Sequence, residues 1–243
     1  MRIQVINPNA SEPMTEKIGA AARAAASPGT EIHAVCPPEG PLSIEGHFEE
    51  VIAAAALMEE VRRGVVDGMD AHVIACFGDP GLLAARELAR GPVLGIAEAA
   101  MHAATMISTR FSIVTTLGRT RIIAEELLDR YGFRHHCRRI RAAEVPVLDL
   151  EDSGSDACRQ IIEECRRARD EDGVGAIVLG CAGMADLVRD VSGAIGIPVI
   201  DGVAAAVRMA EALVGMGLGT SKHGDLAEPL PKAFRGRFGH WSR

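Results

Sequence analysis

Aromatic side chains are scarce: Phe, Tyr and Trp make up 3% of the 243 residues, with one Trp and one Tyr. Alanine and the 26 glycines take their place, so the chain is one of closely packed helices and sheets. Positive charge is also in deficit. A formal net charge of -7 argues against a phosphate-binding surface, because nucleic-acid modules carry a basic face or stripe. The basic stretch from Lys232 to Arg243 reads as a solvated tail. No apolar run reaches the roughly 18 residues that span a bilayer. The N-terminus enters a strand-like RIQVINPN with no charged-then-apolar signal region, so no membrane partner is expected and the default compartment is the cytoplasm. There is no CxxC; the six cysteines (36, 76, 137, 158, 165, 181) read as free thiols in such a compartment. His135-His136-Cys137 is too tight a cluster for its members to turn toward one metal, and no metal is expected.

What the chain does have is alternation. Short β-branched runs alternate with Ala-rich helical stretches, the pattern of βαβ units and parallel sheets. Strands are predicted at Arg2 to Ile6, Glu31 to Cys36, Ala71 to Cys76, Val93 to Ile96, Phe111 to Thr115, Cys137 to Ala142, Ala176 to Gly180 and Val199 to Ile200. Helices are predicted at Met14 to Ala25, His47 to Gly64, Gly81 to Leu88, Thr120 to Tyr131, Asp156 to Asp172 and Val203 to Gly215. The second set of four strands repeats the first. VIACFGDPG followed by GPVLGIAEAAMHAA matches IVLGCAGM followed by GIPVIDGVAAAVRMA; Cys76 and Cys181 lie 105 apart, Pro92 and Pro198 lie 106 apart, and RIQVINPN and RFSIVTTL are separated by 108. Offsets this similar point to a duplicated unit. The expected fold is α/β: two pseudosymmetric domains, each a mainly parallel four-stranded sheet flanked by helices. Residues 1-97 with 205-243 would form the first and 98-204 the second, the last long helix crossing back to pack on the first half.

In parallel α/β sheets, ligands sit at the carboxyl ends of the strands. Cys76 and Cys181 each close an apolar strand there, followed by small or turn-forming residues that let backbone approach a ligand. A nearby helix N-terminus would lower a thiol's pKa toward the thiolate. A lone cysteine is more often a small buried hydrophobe. The pairing changes that reading, because packing does not require thiols at equivalent strand ends of two related halves. Cys36, Cys137, Cys158 and Cys165 have no such counterpart, and the last two fall seven apart on a helix. Opposed thiols suit the removal of a proton from one face of a carbon and its return to the other, one sulfur as base and one as acid, without a cofactor.

These residues carry a resemblance. INPN..S..MT near the start, GPLSIEG at 40 to 46, ACFGDPGL around Cys76, FSIVTTL at 111 to 117, VLGCAGM around Cys181, GIPVIDGV at 196 to 203 and LGTSKHGDLAEPLPKA toward the end resemble the hydantoin and allantoin racemase branch of the aspartate/glutamate racemase superfamily. The resemblance covers almost the whole chain. It implies an Asp/Glu racemase-like fold with a cleft between the domains, a homo-oligomer, and cofactor-independent racemisation at C5 of a 5-substituted hydantoin. It makes Cys76 and Cys181 the acid/base pair. It assigns substrate contacts to Asn9, Ser43, Ile44, Phe77, Gly78, Thr115, Thr116, Ala182 and Gly183. Asn9 and Thr116, ending their strands, would hold a ring carbonyl or N–H, while Ser43 and Ile44 would close over the ring. Asn9 has a plainer reading as the start of the turn into the first helix, and Ser43 as the cap of the helix after it.

Related decarboxylases keep only the second of the two cysteines, whereas this chain has both. Amino-acid racemases and maleate isomerases also keep two, but with more polar neighbours than the Phe-Gly and Ala-Gly found here, which suit a neutral ring better. The C5 proton of a hydantoin is more acidic than the α-proton of a free amino acid, so a thiol of ordinary pKa near 8.5 can serve. The small-molecule partner that the resemblance implies is a 5-substituted hydantoin or allantoin, with a non-catalytic two-lobed binding module as the rival from another class. Asp79 reads as shaping its turn, with a proton relay as the sharper alternative. Glu45 and Glu98 read as solvent or capping residues, Asp201 as a bridge between the halves, and His47, His102 and His223 as surface or packing residues.

Overall fold

The β-branched runs pair as two separate parallel sheets, in the order β2-β1-β3-β4 and β6-β5-β7-β8. The strands are β1 (Arg2–Ile6), β2 (Glu31–Val35), β3 (Ala71–Ile74), β4 (Val93–Gly95), β5 (Phe111–Thr115), β6 (Cys137–Ala142), β7 (Ala176–Leu179) and β8 (Val199–Ile200). This is a computed structural model that describes residues 1–151 and 156–242; Arg243, the end of the basic tail, lies outside the described residues. The register carries the duplication. Ile3 pairs with Ala71 as Phe111 pairs with Ala176, and His72 pairs with Val93 as Ile177 pairs with Val199. Those are the same 108, 105 and 106 offsets that relate the two halves in sequence.

The central strands β3, β5 and β7 are buried along their whole length, as parallel strands covered on both faces must be. The polar residue each half places on its first strand is fully paired. Gln4 donates to Glu60 O (2.9 Å) and meets His72 Nδ1 (2.8 Å). Ser112 on β5 donates to Asp172 (2.8 Å), which also holds Arg141 of β6 through two bonds of 2.8 and 2.7 Å.

Eight α-helices among the described residues flank the sheets: α1 (Glu12–Ala25), α2 (His47–Val66), α3 (Leu82–Leu88), α4 (Ile96–Ile107), α5 (Arg121–Tyr131), α6 (Ala157–Asp172), α7 (Val188–Ile195) and α8 (Gly202–Gly215). Two of them, α4 and α7, escape the helix reading of the sequence. Neither has a local start signal: the N-cap positions are Gly95 and Leu187, and neither makes a side-chain capping bond. By contrast, Ser11 caps α1 by accepting from Met14 N–H, with Pro13 in the first turn. Helix α8 returns to pack on α1, α4, β3 and β4, so the chain's last long helix lies against the first sheet. One buried cluster joins the halves, running from Ile3, Met14 and Ile18 through Val203 and Ala206 to Ile161 and Met184.

The contact between α4 and α8 depends on a missing side chain. A Cβ on Gly202 would lie 2.5 Å from the carbonyl oxygen of Ile96, a backbone atom that cannot swing aside. Gly202→Ala is therefore expected to destabilise the protein by about 1–3 kcal/mol in urea unfolding. A stability equal to the parent's would show that this approach is not close-packed.

Candidate active site

Cys76 and Cys181 each lie two residues beyond the end of a central strand, β3 and β7. The turns that hold them are alike. Asp79 N–H bonds Cys76 O (3.0 Å) and Met184 N–H bonds Cys181 O (3.2 Å), while the N–H groups of Gly78 and Gly183 point at the respective sulfurs. Both residues line one cleft between the two sheets' carboxyl ends.

Burial dominates the electrostatics of the pair. It pushes the Cys76 thiol up to about 12, against the Gly78 N–H, with negative charge at Cys181, Asp79 and Glu50 adding to the rise. It pushes Cys181 up to about 11, against the Gly183 N–H and the Lys17 ammonium, with Glu45 opposing them. The sequence expectation of a thiol acidified by a helix terminus is therefore reversed: the N–H donors are present, but desolvation outweighs them.

The cleft gathers eight of the nine residues expected around the ligand: Asn9, Ile44, Phe77, Gly78, Thr115, Thr116, Ala182 and Gly183. Ser43 is not among the lining residues, and it does not cap α2, whose N-cap is Gly46. Asn9 lies three residues past the end of β1 rather than on it. Its Oδ1 is committed to the turn, accepting from Ser11 N–H (3.0 Å) and Asn7 Nδ2 (2.7 Å), which leaves its NH₂ face to the cleft. The Thr115 hydroxyl is paired with Thr120 Oγ1 (2.9 Å). Among the described residues the Thr116 hydroxyl has no hydrogen bond, and it is 2% exposed.

Several lining residues were not foreseen, notably Asn7, Glu50, Thr120, Ile123, Val147 and Met14. Asn7 stood in the INPN motif and was readable there. Glu50, on α2, gave no sign of facing inward; burial raises its pKa. Among the described residues Glu50 is the only charged side chain in the lining, and Lys, Arg and His are absent from it. Among the described residues no group of three or more His, Cys, Asp or Glu could hold a metal ion.

The cleft is closed by polar ties between the halves. Glu45 accepts from Val147 N–H (3.0 Å), joining the loop before α2 to the loop after β6. Ser11 Oγ donates to Glu151 (2.6 Å), and Lys17 Nζ to Leu150 O (2.6 Å). Glu45 is thus neither a solvent nor a capping residue. Asp201, expected to bridge the halves, caps its own helix by accepting from Val203 N–H and Ala204 N–H. Glu98 pairs with Arg86 at 2.5 Å, and His102 packs edge-on against Phe133 with ring centroids 4.8 Å apart.

Comparison with known proteins adds family and fold. The Asp/Glu/Hydantoin racemase family model matches residues 3–210. A hydantoin racemase from Rhizobium meliloti is 48% identical over 236 residues, covering 97% of this chain and 98% of that protein. A solved allantoin racemase from Klebsiella pneumoniae is 63% identical, with a TM-score of 0.98 over 100% of this chain and 99% of the other. Arylmalonate decarboxylase, 17% identical with a TM-score of 0.64 over 89% and 94% of the two chains, shares the fold.

Thiols pushed above their ordinary range are protonated at neutral pH, so alkylation must follow the small thiolate fraction. The rate of iodoacetamide addition at Cys76 and at Cys181, followed by peptide mapping, should climb about tenfold per pH unit from 7 to 9.5 with no plateau. A plateau near pH 8.5 at either position would contradict the burial argument.

Proposed function

We propose that this chain, which belongs to the Asp/Glu/hydantoin racemase family, inverts C5 of a hydantoin ring by moving a proton between Cys76 and Cys181 without a cofactor. The observation that carries the reading is the placement of two thiols, each on the same kind of turn after an equivalent strand, in the lining of one cleft. One sulfur, as thiolate, takes the C5 proton; the C–H electron pair passes into the ring as an enolate. The other sulfur, as thiol, gives its proton to the opposite face of C5. The negative charge has then crossed from one sulfur to the other, and the reverse reaction or exchange with solvent resets it. Two high thiol pKa values suit this exchange, since a thiolate formed in a buried site is a strong base toward a weakly acidic carbon.

The lining supports a neutral ring. Among the described residues it has no Lys, Arg or His to hold a free carboxylate, and its buried floor offers the Asn9 amide and the Thr116 hydroxyl to ring carbonyls and N–H groups. Phe77 and Ala182 line the same space beside the two thiols, and their backbone N–H groups would serve as donors for the enolate oxygen. For the substituent at C5, the 63% identity to a protein named allantoin racemase favours the ureido group of allantoin over alkyl or aromatic groups.

Loss of optical rotation should be faster with allantoin than with 5-benzylhydantoin under matched conditions; the reverse order assigns the chain to the alkyl and aryl hydantoins. Cys76→Ser and Cys181→Ser should each abolish racemisation while leaving deuterium uptake from heavy water at C5 of a single enantiomer. The two-thiol mechanism fails if either single variant racemises at near the parent rate. Binding of a hydantoin with no deuterium uptake by the parent would instead mark a binding module.

A further inference from the structure

Gly95 and Asp201 hold equivalent places before α4 and α8, 106 residues apart, yet the two helices are capped from different directions. At α8 the cap is local: Asp201 Oδ1 accepts from Val203 N–H (2.9 Å) and Oδ2 from Ala204 N–H (2.8 Å). At α4 the place is taken by glycine, and the carboxylate comes from Asp79. Its Oδ1 accepts from Ala97 N–H (3.0 Å) and its Oδ2 from Glu98 N–H (3.0 Å), the same two helix positions. A Cβ on Gly95 would lie 2.2 Å from Asp79 Cγ, so the Asp79 carboxyl fills the volume that residue 95's own side chain would need.

Three further features tie this carboxylate to the cleft. Asp79 closes the turn on Cys76 through its own N–H, and it does so at φ 45, a left-handed conformation that a non-glycine residue adopts only under strain. Its Oδ2 also accepts from the hydroxyl of Tyr131 (2.8 Å), the last residue of α5 in the second half. The group is 1% exposed, and burial pushes its pKa up to about 6. In the other half the equivalent of Asp79 is Met184, fully buried in the apolar cluster. The Cys181 turn is therefore held by packing and the Cys76 turn by a polar clamp that reaches across the halves.

Resting on the two-thiol reading, we propose that Asp79 and Tyr131 are positioning residues that fix the Cys76 sulfur against the face of C5 opposite Cys181. The clamp acts on one sulfur only, so its loss has a directional signature. When Cys76 is misplaced, Cys181 still removes and returns a proton on its own face. One enantiomer then exchanges with retention while inversion slows.

The experiment measures, for each enantiomer, the ratio of deuterium uptake with retention to inversion. Asp79→Asn should raise that ratio about tenfold for one enantiomer, lowering kcat more than it alters KM, and Tyr131→Phe should move the same enantiomer by less. Asp201→Asn, which removes the same cap chemistry from α8, should lower the melting temperature and leave both ratios at parent values. The double variant Asp79→Ala/Gly95→Asp rebuilds a local cap on α4; it should regain stability over Asp79→Ala alone without regaining the ratio. The proposal is overturned if Asp79→Asn leaves both ratios unchanged, if Asp201→Asn shifts them equally, or if the double variant restores them. Alkylation by iodoacetamide reads the same geometry without substrate. A changed Cys76-to-Cys181 rate ratio in Asp79→Asn supports the clamp even if no hydantoin is racemised, an outcome that would remove the functional reading alone. An unchanged ratio in an active protein removes the clamp alone.

Discussion

In a parallel pair both strands leave the sheet at the same edge, and the cleft depends on that constraint. Because β1 lies beside β3 and β5 beside β7, the chain after β1 and the chain after β3 emerge together, as do those after β5 and β7. One sheet therefore delivers Asn9 and Cys76 to a single place, and the other delivers Thr116 and Cys181. Duplicating the register duplicates the delivery. What remains is to turn the two edges toward each other, and the shared apolar cluster with α8 packed on the first sheet does this.

Turning two edges inward desolvates whatever they carry. For a thiol this favours the neutral form, and here the backbone N–H of a glycine two residues on offsets only part of the effect at each sulfur. The same enclosure strengthens every remaining dipole and charge in the cleft. Lys17 leans on Cys181, while Asp79 and Glu50 lean on Cys76, so two turns of nearly the same shape sit in different fields. The halves are alike in backbone and unlike in electrostatics.

The polar ties across the cleft follow one rule: each pairs a side chain of the first half with a group of the second. Glu45 with Val147 N–H, Ser11 with Glu151, Lys17 with Leu150 O and Asp79 with Tyr131 are separate hydrogen bonds, each worth about 0.5–1.5 kcal/mol net and somewhat more where charge assists. Their value lies less in stability than in fixing distance between two bodies whose apolar packing alone would tolerate sliding.

The sequence by itself determined the duplication, the parallel α/β class and the family, because offsets, period and motif lie along the chain. All eight strands could be read to within two residues of their ends, and the pairing of Cys76 with Cys181 needed only counting. What only the tertiary structure decided were relations between distant segments. Helix α4 has no start signal of its own, since Asp79 supplies its cap from 18 residues away in sequence. Glu50 faces the cleft because α2 packs with that side inward, whereas Ser43, one residue from Ile44, does not line it. The thiol pKa values follow the same logic: a sequence shows the N–H donors near a sulfur, but desolvation is a property of the enclosure, and it exists only once both halves have closed around the pair.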